Sequence, residues 1–200
     1  MIKANSDAHN SSGSQSEHGF TLIEVMIAIA LLMIGLLSML AVFGVAMAST
    51  QTAQSDMIAK QIAQEAMESI FTARDTSAIS FAQIQNTPNG IFTTGFTQIL
   101  AAGPDGLEGT ADDVAGNVAN PKCPGPSRCL ILPGPDGILG TADDVYLPLN
   151  NFTRQISITP LTDAFGNIYG NLRLVTITVQ YTASRFNKTY TMSEYISQYR

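Results

Sequence analysis

The feature that most constrains this chain is an apolar run from Phe20 to Ala48 that contains one charged residue, Glu24. A helix needs about 20 apolar residues to span a bilayer, and this run has 29. A charged side chain at the centre of a membrane helix costs roughly 2.5–3.5 kcal/mol, and Glu24 lies near the start of the run, where the cost is lower. The run predicts a transmembrane and assembly helix over residues 20–48. The alternative is an ordinary N-terminal anchor with one glutamate at the membrane surface.

The residues that open this run form a specific motif. Gly19 through Leu37 read GFTLIEVMIAIALLMIGLL, and this string resembles the start of type IV pilins, a family that includes the pseudopilins of type II secretion. The resemblance implies that residues 1–19 are a leader, that prepilin peptidase cuts after Gly19, and that Phe20 becomes the methylated N-terminus. It also implies that Glu24 acts in filament assembly, where its carboxylate lies near the methylated amine of a neighbouring subunit.

Helical periodicity continues beyond the apolar run. Apolar residues recur every four positions at Ile58, Ile62, Ala66 and Ile70. This spacing predicts an amphipathic helix over residues 49–75 whose apolar side packs on another element. No proline interrupts residues 20–74, which favours one continuous helix over a membrane helix, a break and a separate second helix.

The C-terminal part of the chain predicts antiparallel strands within a globular head, residues 76–200. Val175, Ile177, Val179 and Tyr181 alternate with their neighbours in strand fashion. Phe152, Ile156 and Ile158 share a face, to which Arg154 is the exception, and a last strand is expected over residues 188–196. The predicted fold class is α+β: a long N-terminal helix, part anchor and part amphipathic spine, packed on a C-terminal antiparallel sheet. This order resembles the pilin fold, and the finer resemblance is to PilV-type minor pilins.

Composition narrows the possible chemistry. The net charge is −6, and the only histidines, His9 and His18, lie in the predicted leader. A mature chain without histidine has no Ser-His-Asp triad and no Cys-His dyad, and it lacks the usual zinc and iron ligands. Carboxylate-only chemistry is still open, but no motif points to it, so we expect no enzyme. An acidic chain also argues against nucleic acid as a main ligand.

The chain has two cysteines, Cys123 and Cys129. An even count in an exported protein favours a disulfide, which here closes a small loop with Pro124, Gly125 and Pro126. A reduced pair and a bridge between chains are the alternatives.

A twelve-residue segment occurs twice. GPDGLEGTADDV, residues 103–114, returns as GPDGILGTADDV, residues 134–145, with ten of twelve positions identical. Calcium takes six to eight oxygen ligands, and these glycine-rich copies resemble the calcium loop of the major type II pseudopilins. The candidate ligands are Asp105, Asp112 and Asp113 in the first copy and Asp136, Asp143 and Asp144 in the second. The alternative is a pair of solvated turns whose aspartates cap backbone amides.

The resemblance implies a structural subunit, most like a minor pilin, of a type IV pilus-like filament. A type II secretion pseudopilin is the alternative, and an adhesive or DNA-uptake pilin is an alternative of another class. The expected partners are other pilin subunits, the prepilin peptidase, an inner-membrane assembly platform, and membrane lipid before assembly. The expected location is the inner membrane with the head in the periplasm, then a surface pilus or periplasmic pseudopilus.

Overall fold

The structure, a computed structural model, describes residues 19–184 and 186–199. The chain divides into two compact units between Ala46 and Met47. The first helix, α1, spans Leu22–Asp75, so the continuity that the absence of proline predicts is confirmed. The predicted leader lies outside the described residues, apart from Gly19.

The part of the first unit that the structure describes is almost wholly helical and apolar. All residues from Gly19 to Ala46 are exposed. The helix satisfies its own backbone hydrogen bonds, which is the condition for a single segment to enter a bilayer. α1 is the one helix within residues 19–184 and 186–199 that is long and apolar enough to cross a membrane.

The second unit is built on the C-terminal half of α1. The side chains that this half buries are Ala59, Ile62, Ala63, Ala66, Met67, Ile70 and Ala73. They follow the predicted stripe, with Ile58 half-buried at its start. Small alanines alternate with larger residues along the stripe, which lets the sheet pack closely against the helix.

Six strands follow α1. Their bounds are β1 Thr97–Gln98, β2 Cys129–Leu132, β3 Val145–Pro148, β4 Phe152–Thr162, β5 Ile168–Ala183 and β6 Phe186–Ser197. Four of them form one antiparallel sheet in the order β1-β4-β5-β6. β2 and β3 form a separate antiparallel hairpin. A 3₁₀ turn, Phe81–Gln83, and a short helix α2, Gly116–Ala119, lie in the connections.

The core lies between the stripe of α1 and one face of the four-stranded sheet. Val175, Ile177 and Val179 on β5 are fully buried, and Ile156 and Ile158 on β4 join them. The α+β prediction is therefore confirmed, with a long N-terminal helix packed on an antiparallel sheet. The predicted meander β4-β5-β6 is present, and the structure adds β1 at its edge. The sequence analysis treats residues 103–145 as loops and misses the hairpin of β2 and β3.

The predicted intrachain disulfide is present between Cys123 and Cys129, with Cα atoms 5.8 Å apart. The loop it closes is hydrogen-bonded to α2, since Gly116 N donates to Pro126 O over 2.7 Å. A side chain at Gly116 would collide with the Ser127 carbonyl oxygen, so this close approach requires glycine. The bridge thereby fixes the segment from which the hairpin starts.

Candidate functional site

The predicted processing site lies immediately ahead of α1. Thr21 caps the helix, because Glu24 N donates to Thr21 Oγ1 over 3.3 Å and to Thr21 O over 3.1 Å. Phe20 is 82% exposed. A Cβ added at Gly19 would meet no heavy atom within 4 Å. The fold of the chain therefore does not require glycine at this position. A requirement for glycine here would have to come from another molecule that binds this segment.

Glu24 lies in the first turn of α1 and is exposed. A carboxylate is favourable there because the backbone amides at a helix N-terminus carry partial positive charge. It is the only charged residue between Phe20 and Ala48. The large aliphatic side chains around it are exposed as well, so this helix surface is uncovered within the chain.

The two acidic segments fold into the same turn. We call residues 103–114 the first acidic loop and residues 134–145 the second acidic loop. In the first, Asp105 N donates to Asp112 Oδ2 over 3.3 Å, and Gly109 N donates to Asp113 Oδ2 over 2.8 Å. Thr110 Oγ1 donates to Asp112 Oδ1 over 2.6 Å.

The second acidic loop repeats these contacts almost without change. Asp136 N donates to Asp143 Oδ2 over 3.3 Å, Gly140 N to Asp144 Oδ2 over 2.7 Å, and Thr141 Oγ1 to Asp143 Oδ1 over 2.6 Å. The hydroxyl of Thr141 lowers the pKa of Asp143, as the matching threonine does in the first loop. Identical local sequence thus gives identical local structure, with the aspartates acting as caps for backbone amides.

These hydrogen bonds bear on the predicted calcium ligands. Within residues 19–184 and 186–199, no group of three or more carboxylates is placed so that it could hold a metal ion. Calcium binding would need the aspartates to give up amide and hydroxyl partners. Calcium therefore stays a prediction of the sequence, and the capping role of the aspartates is what the structure displays.

The two loops differ in their surroundings. Leu107 and Glu108 at the tip of the first loop are buried in the head, whereas Ile138 and Leu139 at the equivalent positions of the second are exposed. These are the only two positions at which the loops differ in sequence.

A chain of four charges ties the first acidic loop to the head. Arg154 on β4 is buried and pairs with Glu108, which also accepts a bond of 2.7 Å from Arg128. Arg128 in turn pairs with Glu65 on α1 over 2.6 Å. Burial raises the pKa of Glu108, and the two arginines oppose that shift. Arg154, the exception in the predicted strand pattern, therefore faces inward to meet Glu108.

A second polar cluster joins α1 to the sheet. Tyr181 Oη donates to Asp56 Oδ1 over 2.8 Å, and Lys188 Nζ donates to Asp56 Oδ2 over 2.9 Å. Hydrogen bonds from Lys188 and Tyr181 lower the pKa of Asp56. Burial and the same carboxylate raise the pKa of Tyr181 to about 12.

The comparisons with known proteins bear on the N-terminal segment. Residues 14–40 match the model of the prokaryotic N-terminal methylation motif. This methylation motif supports the type IV pilin and pseudopilin family, and it points to a structural subunit rather than an enzyme. No curated protein and no solved structure gives a significant match to the chain.

The structure thus brings together some of the predicted residues and separates others. Gly19 and Phe20 lie immediately ahead of α1 and Glu24 lies in its first turn, all three inside the methylation motif. Sequence reasoning missed the pairing of Glu108 with Arg154, which are 46 residues apart. The available signals were an arginine on an apolar strand face and a glutamate in only one of two near-identical loops.

Proposed function

We propose that this chain is a structural subunit of a type IV pilus-like filament, closest in role to a PilV-type minor pilin. The observation that carries the proposal is a methylation motif, residues 14–40, that extends into a helix whose large apolar side chains are all exposed from Leu22 to Val45. Such a surface needs lipid before assembly and neighbouring helices afterwards. Before assembly the subunit is anchored in the inner membrane with its head in the periplasm. The assembly platform then transfers it into a surface filament.

Glu24 has a defined part in this proposal. Once the helices bundle, its carboxylate lies in a water-poor core, where an unpaired charge is costly and a paired one is tolerated. The partner we assign is the methylated amine of Phe20 on a neighbouring subunit. This pairing sets the register between adjacent helices, because a shift along the axis leaves both charges unpaired.

Processing is the first test. Full-length protein from its native cell should begin at methylated Phe20 when its mass is measured. Gly19→Val should block cleavage, since a branched side chain crowds the bond that the peptidase cuts. Gly35→Val is the matched control, because Gly35 also has no heavy atom within 4 Å of an added Cβ. A mature chain that retains residues 1–19, or equal processing of both variants, would contradict the proposal.

Deletion of the chain separates this function from its rivals. Loss or shortening of surface filaments with normal secretion supports the pilus subunit. A secretion defect with intact filaments supports a type II secretion pseudopilin, which the glycine- and aspartate-rich loops resemble. Intact filaments with lost surface attachment or DNA uptake support a binding pilin.

A further inference from the structure

The tip of the second acidic loop, Ile138 and Leu139, lacks the cover that the first loop has. Leu107 and Glu108 are 1% and 3% exposed, whereas Ile138 and Leu139 are 60% and 61% exposed. The backbone hydrogen bonds of the two loops are the same, so the difference does not come from the turn itself. The tip of the first loop carries a glutamate that pairs with the arginines it contacts. The tip of the second loop has an aliphatic residue at the equivalent position.

The hairpin that carries this tip is apolar on both faces. The exposed aliphatic side chains behind the tip are Ile131, Leu132, Val145 and Leu147. Ile131 and Leu132 are consecutive in β2, so they point to opposite faces. A two-stranded ribbon is marginal by itself, and an exposed apolar patch of this kind marks a contact with another protein.

The charge of the hairpin restricts its partner. Residues 129–148 contain three aspartates and no lysine or arginine. Complementary potentials align partners and exclude wrong ones. The surface that fits this hairpin is therefore apolar and carries a cation that lacks a carboxylate of its own.

The head has such a surface at the start of β5. Ile158, Pro160, Ile168, Tyr169 and Arg173 line most of a concavity of about 240 Å³, which we call the Arg173 pocket. Ile168 and Tyr169 are exposed. The pocket contains no acidic residue, so its only formal charge is that of the arginine.

Arg173 is held in place by contacts other than ion pairs. Its guanidinium lies over the Phe81 ring, 4.3 Å from the centroid, and donates to the carbonyl oxygens of Phe81 and Ile84. Among residues 19–184 and 186–199, no carboxylate forms an ion pair with it.

A second concavity in the head is less suitable. The groove beside Ile58 and Ile62 has a similar size, about 260 Å³. Its arginine, Arg128, already pairs with Glu65 and Glu108. The larger concavity beside Lys188 also has its cation paired, with Asp56. An acidic hairpin is therefore expected to gain more at the Arg173 pocket than at either of these two sites.

The hairpin and the pocket lie on different parts of the head. The hairpin follows Arg128, which pairs with Glu65 on α1. The pocket is lined by other residues and lies next to the 3₁₀ turn that starts at Phe81. We propose that the tip of the second acidic loop docks in the Arg173 pocket of a second copy of this chain. A contact between two different patches is heterologous, and repetition of it gives a closed ring if the rotation closes and an open chain of copies if it does not.

This contact deepens the proposed function and rests on it, because an open chain of copies is what a filament subunit forms. It also names the partner. The partner is a neighbouring copy of the same chain in the filament.

Cysteine cross-linking between full-length chains in the native cell tests the contact. Leu139→Cys and Ile168→Cys are placed on separate chains and expressed together, and a mild oxidant is added to whole cells before their surface filaments are sheared off. Cys123 and Cys129 are already bridged, so the new thiols are the reactive ones. We expect a mixed disulfide-linked dimer when both variants are present and none from either variant alone.

A charge at the tip gives the matched comparison. In this comparison Ile138→Cys supplies the cross-linking thiol of the loop in place of Leu139→Cys. Adding Leu139→Lys should lower the yield of the mixed disulfide dimer about tenfold or more, because an unpaired cation would enter an apolar pocket beside an arginine. Leu139→Ile, with the same cross-linking thiol, should leave the yield unchanged. Both positions are exposed on the loop, so the loop can fold in either variant.

Three results would overturn the proposal. The first is the absence of a mixed dimer from sheared filaments that contain the chain. The second is a dimer from Leu139→Cys alone, and the third is a cross-link to a different protein. The proposed function is scored separately on the same cells, by methylation of Phe20 and by the presence of the chain in sheared filaments.

Discussion

Breaking the buried ion pair of Glu108 and Arg154 should destabilise the head strongly. The substitution is Glu108→Leu, which places at the first loop the residue that the second loop has at the equivalent position. The turn itself accepts leucine there, as the second loop demonstrates. Any loss of stability then reports the lost charge contact and not a broken turn.

The expected size follows from the burial of Arg154. Its side chain is 1% exposed, its Nε has no hydrogen-bond partner, and Glu108 is its ion-pair partner among the described residues. Removing one partner of a buried pair costs about 3–5 kcal/mol, because the remaining charge is left uncompensated. For a domain of this size each kcal/mol shifts the melting temperature by about 2–4 °C, so we expect a drop of about 10 °C.

The assay is thermal unfolding of the full chain in detergent, followed by tyrosine signals. All six tyrosines lie between Tyr146 and Tyr199, so the signal reports the head and not the membrane helix. Glu65→Ala is the control, since Glu65 is exposed and the loss of an exposed pair costs about 0–1 kcal/mol. Glu108→Leu combined with Arg154→Met should recover most of the stability, because both charges are then removed.

Two results would refute this reasoning. The first is a Glu108→Leu protein that melts within a degree or two of Glu65→Ala. The second is a double variant that is no more stable than Glu108→Leu alone, since that would show that the cost comes from lost packing and not from a stranded charge.

Three further predictions follow from the remaining contacts. Glu24→Leu should still insert in the membrane but be depleted from sheared filaments, and wild-type incorporation would count against pairing with the Phe20 amine. Hydrogen bonds from Lys188 and Tyr181 lower the pKa of Asp56. The stability that the ionised Asp56 adds is therefore present above about pH 4 and is lost as the pH falls further. Asp56→Asn should reduce the dependence of stability on pH in this acidic range. If either acidic loop binds calcium, millimolar calcium should raise the melting temperature relative to EGTA, with a gain of about 2.7 kcal/mol in the free energy of unfolding at a hundredfold excess over Kd. Alanine at the last two aspartates of a loop should remove the part of this gain that comes from that loop. An unchanged melting temperature with no heat of binding would leave both loops as plain turns.

The sequence predicts those elements of the fold whose apolar residues follow the period of a single helix or strand. The four-residue spacing from Ile58 to Ile70 gives the buried stripe of α1, and the alternation from Val175 to Tyr181 gives the buried face of β5. Both depend on which side of one regular element is apolar. The N-terminal motif belongs to the same class, because its residues are consecutive and its first turn is closed by Thr21.

Contacts between distant segments are what the sequence leaves open. Glu65, Glu108, Arg128 and Arg154 come from α1, a loop, the start of the hairpin and β4, so no spacing rule connects them. The hairpin was missed for a related reason. Its strands have four residues each and frame a twelve-residue turn, so the turn signals of glycine, proline and aspartate dominate the local pattern.

In the two acidic loops, local sequence determines the conformation of the turn, and the surrounding residues determine its burial. Ten shared residues fix one turn in both places, down to the same threonine-aspartate and glycine-aspartate bonds. Burial depends on the surroundings, because the first loop lies against the buried Arg154 and the half-buried Arg128, both of which pair with Glu108. Glu108 is therefore explained by Arg154 and Arg128 within the head. Leu139 has no comparable contact among the described residues, since it is 61% exposed. The proposed contact with the Arg173 pocket of a second copy would bury this apolar tip and bring the aspartates of the loop close to a cation.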